Sequence, residues 1–261
     1  MALAIAHGRT TWRLVRFATE LARPDVDVIV TFSAGVTAAK RATGVIPIVM
    51  ATSQDPLRTG FVASLARPGG NLAGITFLTD ELSGKRLELL KETMPGVSRV
   101  AILWEPAHVD NELKGMLAVA PALGLHLQSV EIPRPARADE VERAVRAALE
   151  ARAEALVLAP GGFTIPNRRR LIDLAVRNRL PVFSAWKIFS DEGAVLTYGP
   201  TLETARRVGY YVDRILKGAR PADLPIEQPR TFELVINLKA ARQLGLDVPQ
   251  PLLARADRVI R

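Results

Sequence analysis

The sequence predicts an α/β protein with two lobes, each a doubly wound parallel sheet flanked by helices. Three observations lead to this fold class. Short runs rich in Val and Ile alternate with helical patterns along almost the whole chain, most runs are continuously apolar, and two long helical segments interrupt the series. Continuous apolar runs are typical of parallel strands buried on both faces, and regular strand–helix alternation is typical of a doubly wound sheet.

Eight segments have the length and the Val/Ile content of buried strands. Each is four to seven residues long and mostly continuous rather than alternating. The predicted strands are Val26–Phe32, Ile46–Ala51, Leu72–Phe77, Arg99–Trp104, His126–Ile132, Ala155–Ala159, Leu180–Ser184 and Ala194–Tyr198.

The segments between these strands have the 3.6-residue period of amphipathic helices. In Asp139–Arg152, apolar residues recur on one stripe and Glu and Arg lie opposite. Thr201–Lys217 has the same pattern and stops at Gly218, a residue that commonly ends helices. Long insertions after Thr76 and after Tyr198 divide the eight strands, so we expect two sheets of similar size.

Composition excludes several classes of protein. There is no cysteine, so a thiol nucleophile, a disulfide and a thiolate metal site are ruled out. No run of eighteen uninterrupted apolar residues exists, which excludes a membrane-spanning helix, and the first residues do not form a signal peptide. The net charge of +8 is dispersed, and its densest run, Arg168–Arg170, lies in a predicted helix. Without interleaved aromatic residues, this charge predicts no nucleic-acid partner.

Catalytic signatures are missing from the sequence. There is no phosphate-binding loop, dinucleotide fingerprint or nucleophile elbow, and the three histidines are scattered without metal-ligand spacing. One S-x-x-K match, Ser184 to Lys187, lacks its companion motifs, and we interpret Ser184 as a strand-end serine. We therefore predict a protein that is not an enzyme and that has no cofactor and no metal site.

The strand-to-helix turns of the first lobe carry the first candidate site. Ser33, Ala34 and Gly35 start a helix, where free amide groups and the helix dipole suit a carboxylate or phosphate. Thr52 and Asp55 follow the next strand, at the sheet edge where ligands of open α/β sheets bind. Ordinary helix capping explains the same residues equally well, and Asp55 either binds an ammonium group or caps the helix that begins at Pro56.

In the second half, four strands are followed by segments with polar or aromatic residues. Such a set would suit a small zwitterion with an apolar side chain, although ordinary loop packing also explains each residue. The candidate positions are Trp104, Asp110, Asn111, Gly161, Phe163, Trp186 and Tyr198.

Several long segments together resemble a known family. These are QDPLRTGFVASLARPGGNLAGITFLTDELSGKRLELLKETMPGVSRVAILWEP, YGPTLETARRVGYYVDRILKGARP and ADLPIEQPRTFELVINLKAARQLGLDVPQPLLARADRVIR. They are similar to the ABC-transporter substrate-binding proteins of the group whose members include binders of aromatic amino acids. The similarity extends from about Val26 to the end of the chain.

The resemblance implies a type I periplasmic-binding fold, in which two lobes close on a ligand in the cleft between them. It also implies an extracytoplasmic location and delivery of the ligand to a membrane permease that is driven by a separate ATPase. The family's cleft positions correspond to the turn 33–36, to Thr52 and Asp55, and to Asp110 and Asn111. They also correspond to the turn at Gly161 and to the region of Ala185, Trp186 and Tyr198.

For the lobes we expect 1–77 plus 200–224, and 78–199 plus 225–261, with hinges near 77–79, 198–200 and 225–232. Family members begin with an export signal, a strand and a helix that are not recognised here. The missing strand would be central in a sheet of order 2-1-3-4-5, so its loss would leave both neighbours without a partner. We therefore expect the natural product to be longer.

Two alternatives remain open. One is a cytoplasmic ligand-sensing domain of the same fold, which the missing signal favours and the missing DNA-binding headpiece opposes. The other is an enzyme of glycosyltransferase type, although no acidic metal-binding pair follows a strand. Cleft side chains vary within the family, so the resemblance does not identify the ligand.

Overall fold

The computed structural model describes residues 3–4, 11–77, 82–106, 110–133, 136–201 and 203–261. The chain forms two compact units. Unit one comprises Met1–Leu78 and Thr201–Arg230, and unit two comprises Thr79–Pro200 and Thr231–Arg261. None of the described helices has the length and apolar composition that crossing a membrane requires.

Strands and helices alternate along the chain, as the sequence predicts. The strands are β1 Leu3–Ala4, β2 Val28–Phe32, β3 Ile48–Thr52, β4 Leu72–Thr76, β5 Arg99–Trp104, β6 His126–Glu131, β7 Ala155–Leu158, β8 Val182–Ser184, β9 Leu196–Pro200, β10 Ile226–Glu227, β11 Phe232–Asn237 and β12 Arg258–Ile260. The helices are α1 Thr11–Leu21, α2 Ala34–Ala42, α3 Ser83–Thr93, α4 Asp110–Val119, α5 Glu140–Glu150, α6 Arg168–Arg177, α7 Lys187–Ser190, α8 Glu203–Leu216, α9 Leu238–Gln243 and α10 Gln250–Ala254.

Unit one is built on a parallel sheet of order β1-β2-β3-β4-β10. Ile48 and Met50 of β3 pack with Val36 and Ala39 of α2 in one buried cluster. The alternate residue Val49 points to the other face, because successive side chains of a strand point in opposite directions. Helix α8 also contacts β2, β3 and β4. The sheet is therefore buried on both faces, which explains its continuous apolar runs.

Unit two is built on a sheet of order β12-β11-β9-β8-β7-β5-β6. The five neighbouring strands β6, β5, β7, β8 and β9 are parallel to one another. Strand β11 runs antiparallel to β9, and β12 is parallel to β11. The strand after β5 in sequence, β6, lies on one side of β5, and β7 lies on its other side. The direction in which the chain adds strands therefore reverses between β5 and β7. Such a reversal is the switch point beside which doubly wound sheets bind ligands.

The two faces of the second sheet carry separate cores. Val100 and Ile102 of β5 pack with buried residues of α3, α4, α9 and α10. Their neighbours Ala101 and Leu103 pack with buried residues of α5, α6 and α7. Each face is thus covered by helices, and β5 is buried from its second to its fifth residue.

All eight predicted strands are present, within two residues at each end, and the helices predicted over 139–152 and 201–217 are present as α5 and α8. Strands β1, β10, β11 and β12 and helices α1, α9 and α10 were not predicted. Two expectations were wrong in detail. Ile226 pairs with Gly74 of β4 in the first sheet, so residues 225–230 belong to unit one rather than to the second lobe. Leu3 pairs with Val28, so β2 has a neighbour where a gap was expected, and α1 precedes it.

A cluster of polar and aromatic side chains joins α8 to β10. Arg207 donates from Nε and Nη2 to the two carboxylate oxygens of Glu227, at 2.8 and 2.5 Å. Its guanidinium carbon lies 3.9 Å from the ring centroid of Tyr210, and the Tyr211 hydroxyl donates to the Pro225 carbonyl at 2.5 Å. The hydrogen bonds from Arg207 hold the pKa of Glu227 below its ordinary value, against the opposing effect of burial.

The Arg207–Glu227 pair gives a prediction about pH. A carboxyl group whose pKa is lowered by folding stabilises the protein above its unfolded-state pKa, and this contribution is lost as the pH falls through the folded value. Glu227→Gln should therefore lower the free energy of unfolding at pH 7 by about 1 kcal/mol, since half-exposed ion pairs contribute about that much. The difference from the unmodified chain should shrink below pH 4.5, the ordinary carboxyl value.

Urea unfolding between pH 3 and pH 7 measures this difference. Glu88→Gln is the matched control, because Glu88 pairs with Lys85 on the surface of α3. A Glu227→Gln difference that stays constant over this pH range would contradict the assignment.

Candidate ligand-binding site

In unit one, the candidate residues lie where β2 and β3 end. Phe32 of β2 pairs with Ala51 of β3 in the parallel register, so both strands end at the same edge of the sheet. The amide of Ser33 continues the ladder by donating to the Ala51 carbonyl at 3.0 Å. The turn into α2 and the segment after Thr52 are therefore neighbours, as the sequence predicts for the ends of parallel strands.

Ser33 has an unusual backbone conformation. Its φ of 46° and ψ of −117° lie in a region that glycine adopts easily and other residues rarely. Its side chain makes no capping hydrogen bond to α2, contrary to the usual role of a serine at this position. Within the described residues, its hydroxyl makes no hydrogen bond. Strained residues of this kind cluster at functional sites.

The start of α2 has no space for a larger residue at position 35. A methyl group on Gly35 would overlap Thr31 Oγ1 and lie 3.7 Å from Thr31 Cβ. Close packing of the first helical turn against β2 therefore requires glycine. The first amides of a helix have no intrahelical acceptor, so Ala34 and Gly35 leave donors at this edge.

The segment after β3 is held by its own side chains. The Thr52 side chain is fully buried, and its Oγ1 accepts from the amide of Gln54 at 3.1 Å. Asp55 Oδ1 accepts from the amides of Leu57 at 2.8 Å and Arg58 at 3.4 Å. The capping alternative for Asp55 is thus correct for Oδ1, but residues 56–60 form a turn and not the predicted helix. Its second oxygen accepts no hydrogen bond from the described residues.

In unit two, the loops after β5 and β7 meet at the switch point. Glu105 directly follows β5, is 2% exposed, and accepts from the Phe163 amide through Oε1 at 2.6 Å. Gly161 lies in the β7 loop, and a methyl group there would be 3.1 Å from Glu105 Cδ and would overlap Oε1. Glu105 was not among the predicted site residues. The signal for it is a carboxylate placed immediately after a buried strand.

The remaining candidates of unit two differ in exposure. Ala185 is buried, and Trp186 is partly buried against the core that α5, α6 and α7 cover. Tyr198 of β9 is half-buried and contacts Phe232 of β11, with ring centroids 6.4 Å apart. Asp110 begins α4, but the side chains of Asp110 and Asn111 lie outside the described residues.

Much of the charge of the arginine run is neutralised locally. Arg168–Arg170 begin α6, and the described contacts include Arg168 with Glu192 at 3.1 Å and Arg170 with Glu142 at 2.6 Å. In the part of the chain that the structure describes, no group of three or more His, Cys, Asp or Glu residues could hold a metal ion.

A protein-family model decides the family. The model described as ABC transporter substrate binding protein matches residues 5–260. The chain belongs to this family. The resemblance recognised in the sequence is therefore confirmed.

Relatives of this ABC transporter substrate binding protein differ considerably from it in sequence. The tyrosine-binding protein of Clostridioides difficile (strain R20291) is 25% identical over 211 residues, which cover 80% of this chain and 60% of that relative. The solved structure of a conserved domain protein of Vibrio cholerae is 26% identical to this chain in sequence and has a TM-score of 0.83. The match covers 95% of this chain and 83% of the Vibrio cholerae chain.

A third relative shows the fold alone. The ABC domain of Streptococcus pneumonia in complex with L-Trp is 21% identical to this chain in sequence and has a TM-score of 0.82. The match covers 96% of this chain and 84% of the Streptococcus pneumonia chain. These solved structures confirm the α/β fold class of type I periplasmic-binding proteins.

The strain at Ser33 gives a prediction about stability. Ser33→Gly should be more stable than Ser33→Ala by about 1–2 kcal/mol, because both variants lose the hydroxyl and only glycine relieves the strained backbone. Chemical unfolding followed by circular dichroism measures the difference. The matched control is Ala34→Gly, one residue further on, which should lower stability because glycine is unfavourable in a helix. Equal stabilities of the two Ser33 variants would show that the backbone is not strained.

Proposed function

We propose that this chain is the solute-binding component of an ABC-type importer, and that it captures an amino acid or a related small molecule. The observation that carries the proposal is the family match over residues 5–260. The strand order of unit two, with its reversal at β5 and β7, supports a binding role because ligands bind beside such switch points. We assign binding rather than catalysis.

The groups of unit one suit the two charges of an amino acid. A ligand carboxylate at the start of α2 would accept hydrogen bonds from the first amides of the helix and from the Ser33 hydroxyl, which makes no hydrogen bond to the part of the chain that the structure describes. A ligand ammonium would donate to Asp55, whose Oδ1 is engaged in the turn and whose Oδ2 has no partner among the described residues. Both groups lie at the same edge of one parallel sheet, since β2 and β3 end together.

Unit two has candidate binding groups of its own. Its candidates are the loop at Gly161, the segment of Ala185 and Trp186, and Tyr198, whose ring is half-exposed beside Phe232. Aromatic rings provide large apolar contact surfaces. The names of two relatives, a tyrosine-binding protein and a domain in complex with L-Trp, support an aromatic amino acid as the first ligand to test.

Partners and location follow from the same proposal. The chain would work outside the cytoplasm and would deliver its ligand to a membrane permease that a separate ATPase drives. The alternative is a ligand-sensing domain. Its fold is shared by a ribose operon repressor of Lactobacillus acidophilus, at 14% identity and a TM-score of 0.57. Genes for a permease and an ATPase beside this gene would favour transport, and a regulated operon without them would favour sensing.

Thermal unfolding with a panel of amino acids, small peptides and sugars tests the proposed ligand class. A ligand at 100 times its dissociation constant stabilises the folded state by about 2.7 kcal/mol, which is roughly 5–10 °C in midpoint for a chain of this size. We expect such a shift with L-tyrosine or L-tryptophan. A shift with sugars alone would contradict the amino-acid proposal, and no shift with any compound would contradict the binding function.

Two substitutions in unit one test its proposed contacts. Asp55→Asn keeps an oxygen for the turn and removes the charge, so it should lower affinity for the bound amino acid by about tenfold or more with an unchanged thermal midpoint. Ser33→Ala should lower affinity by a similar factor, about tenfold, because a hydrogen bond to the ligand carboxylate is lost. Calorimetric titration measures both.

The matched control is Asp25→Asn. Asp25 is an exposed carboxylate that precedes β2, at the opposite edge of the same sheet. An Asp55→Asn variant that binds like this control would leave Asp55 with the capping role alone.

A further inference from the structure

The loop after β7 is fixed by two side chains that are themselves buried. Thr164 is fully buried, and its hydroxyl accepts from the Gly161 amide at 2.8 Å and donates to the Ala159 carbonyl at 2.7 Å. Glu105 holds the same loop from the neighbouring strand, through the Phe163 amide at 2.6 Å. The loop therefore takes its shape from these hydrogen bonds in addition to its own backbone.

Gly161 and Glu105 are matched in shape. The Glu105 carboxylate occupies the space where any side chain at position 161 would begin. A larger residue at position 161 would displace the carboxylate from the Phe163 amide. The hydrogen bond and the glycine consequently depend on each other, although 56 residues separate them in sequence.

A similar hydrogen-bonding pattern at the other end of the same strands provides a comparison. Glu154, which precedes β7, accepts from the amides of Ser98 at 2.9 Å and Arg99 at 2.8 Å, where β5 begins. These bonds hold the pKa of Glu154 below its ordinary value. Both carboxylates thus connect β5 to β7 through backbone amides, but only Glu105 does so at the edge with the candidate ligand loops.

We propose that Glu105 is a positioning residue, which holds the Gly161–Phe163 loop in its ligand-binding conformation before an amino acid arrives. The inference rests on the proposed function. A loop fixed in advance loses less conformational freedom on binding, so preorganisation raises affinity without a new contact. Glu105 acts here through the loop and is not itself assigned a bond to the ligand.

Three variants separate positioning from general stability. Glu105→Ala should lower affinity for L-tyrosine or L-tryptophan by about tenfold, because the Phe163 amide loses its acceptor and the loop loosens. Glu105→Gln, which keeps an oxygen at the same place, should restore affinity to within about threefold of the unmodified chain. Glu154→Ala should lower the thermal midpoint but leave affinity unchanged.

Substitution of Gly161 breaks the same hydrogen bond from the other side. Gly161→Ala should weaken binding about as much as Glu105→Ala, and the double variant should be no weaker than either one, since coupled residues are not additive. The control is Gly96→Ala in the same unit, where an added methyl group meets nothing within 4 Å.

Hydrogen exchange of the loop 159–165 distinguishes a failure of the positioning role of Glu105 from a failure of the proposed binding function. Glu105→Ala should speed exchange in this loop, and Glu154→Ala should not. Faster exchange with unchanged affinity would overturn the positioning role and leave the proposed function intact. Exchange unchanged in Glu105→Ala would overturn the positioning role whatever the affinity. If the unmodified chain binds no amino acid, the proposed function fails, and the inference that rests on it fails with it.

Discussion

In a parallel sheet every strand ends at the same edge, and this constraint places the candidate residues of each unit. In unit one, the matched register of β2 and β3 brings Ser33 beside Ala51 and puts Asp55 a few residues further on. In unit two, the reversal of strand order at β5 and β7 separates their following helices and leaves Glu105 next to the Gly161 loop. The helices bury both faces of each sheet, so the strand ends are the natural place for polar chemistry.

Loops at the strand ends must satisfy their backbone amides, and side-chain oxygens do so repeatedly. Asp55, Glu105 and Thr164 accept from amides at the carboxyl ends of the strands, and Glu154 does so at the amino ends. A single hydrogen bond adds only about 1 kcal/mol to stability, whereas a buried amide left without an acceptor costs about 1–3 kcal/mol. Avoiding that cost is the larger effect, and it explains why carboxylates and hydroxyls are placed where loops turn.

The main elements were predictable because their signals are local. Continuous apolar runs marked eight strands, and helical periodicity marked α5 and α8. Strands β1 and β10 have two residues each, too few to show a pattern. Strand β11 begins at residue 232, where a hinge was expected, and its antiparallel pairing with β9 depends on contacts distant in sequence.

The sequence indicated which residues lie at the candidate site but not what each side chain does there. Strand ends indicated Ser33, Thr52, Asp55 and Gly161, yet the sequence left capping and binding as equal alternatives for Asp55. The structure shows that one oxygen of Asp55 caps the turn. Glu105 has a local signal, its place directly after a buried strand, but its acceptor role depends on an amide 58 residues away and is not visible in the sequence.

The most direct test of the account is hydrogen exchange of the unmodified chain with and without saturating L-tyrosine or L-tryptophan. The account predicts that protection increases mainly at the strand-end loops, in residues 33–36 and 52–57 of unit one and in residues 105–106, 159–165 and 185–186 of unit two. Protection confined to the amino ends of the strands, or to the surface of α5 and α6, would contradict it.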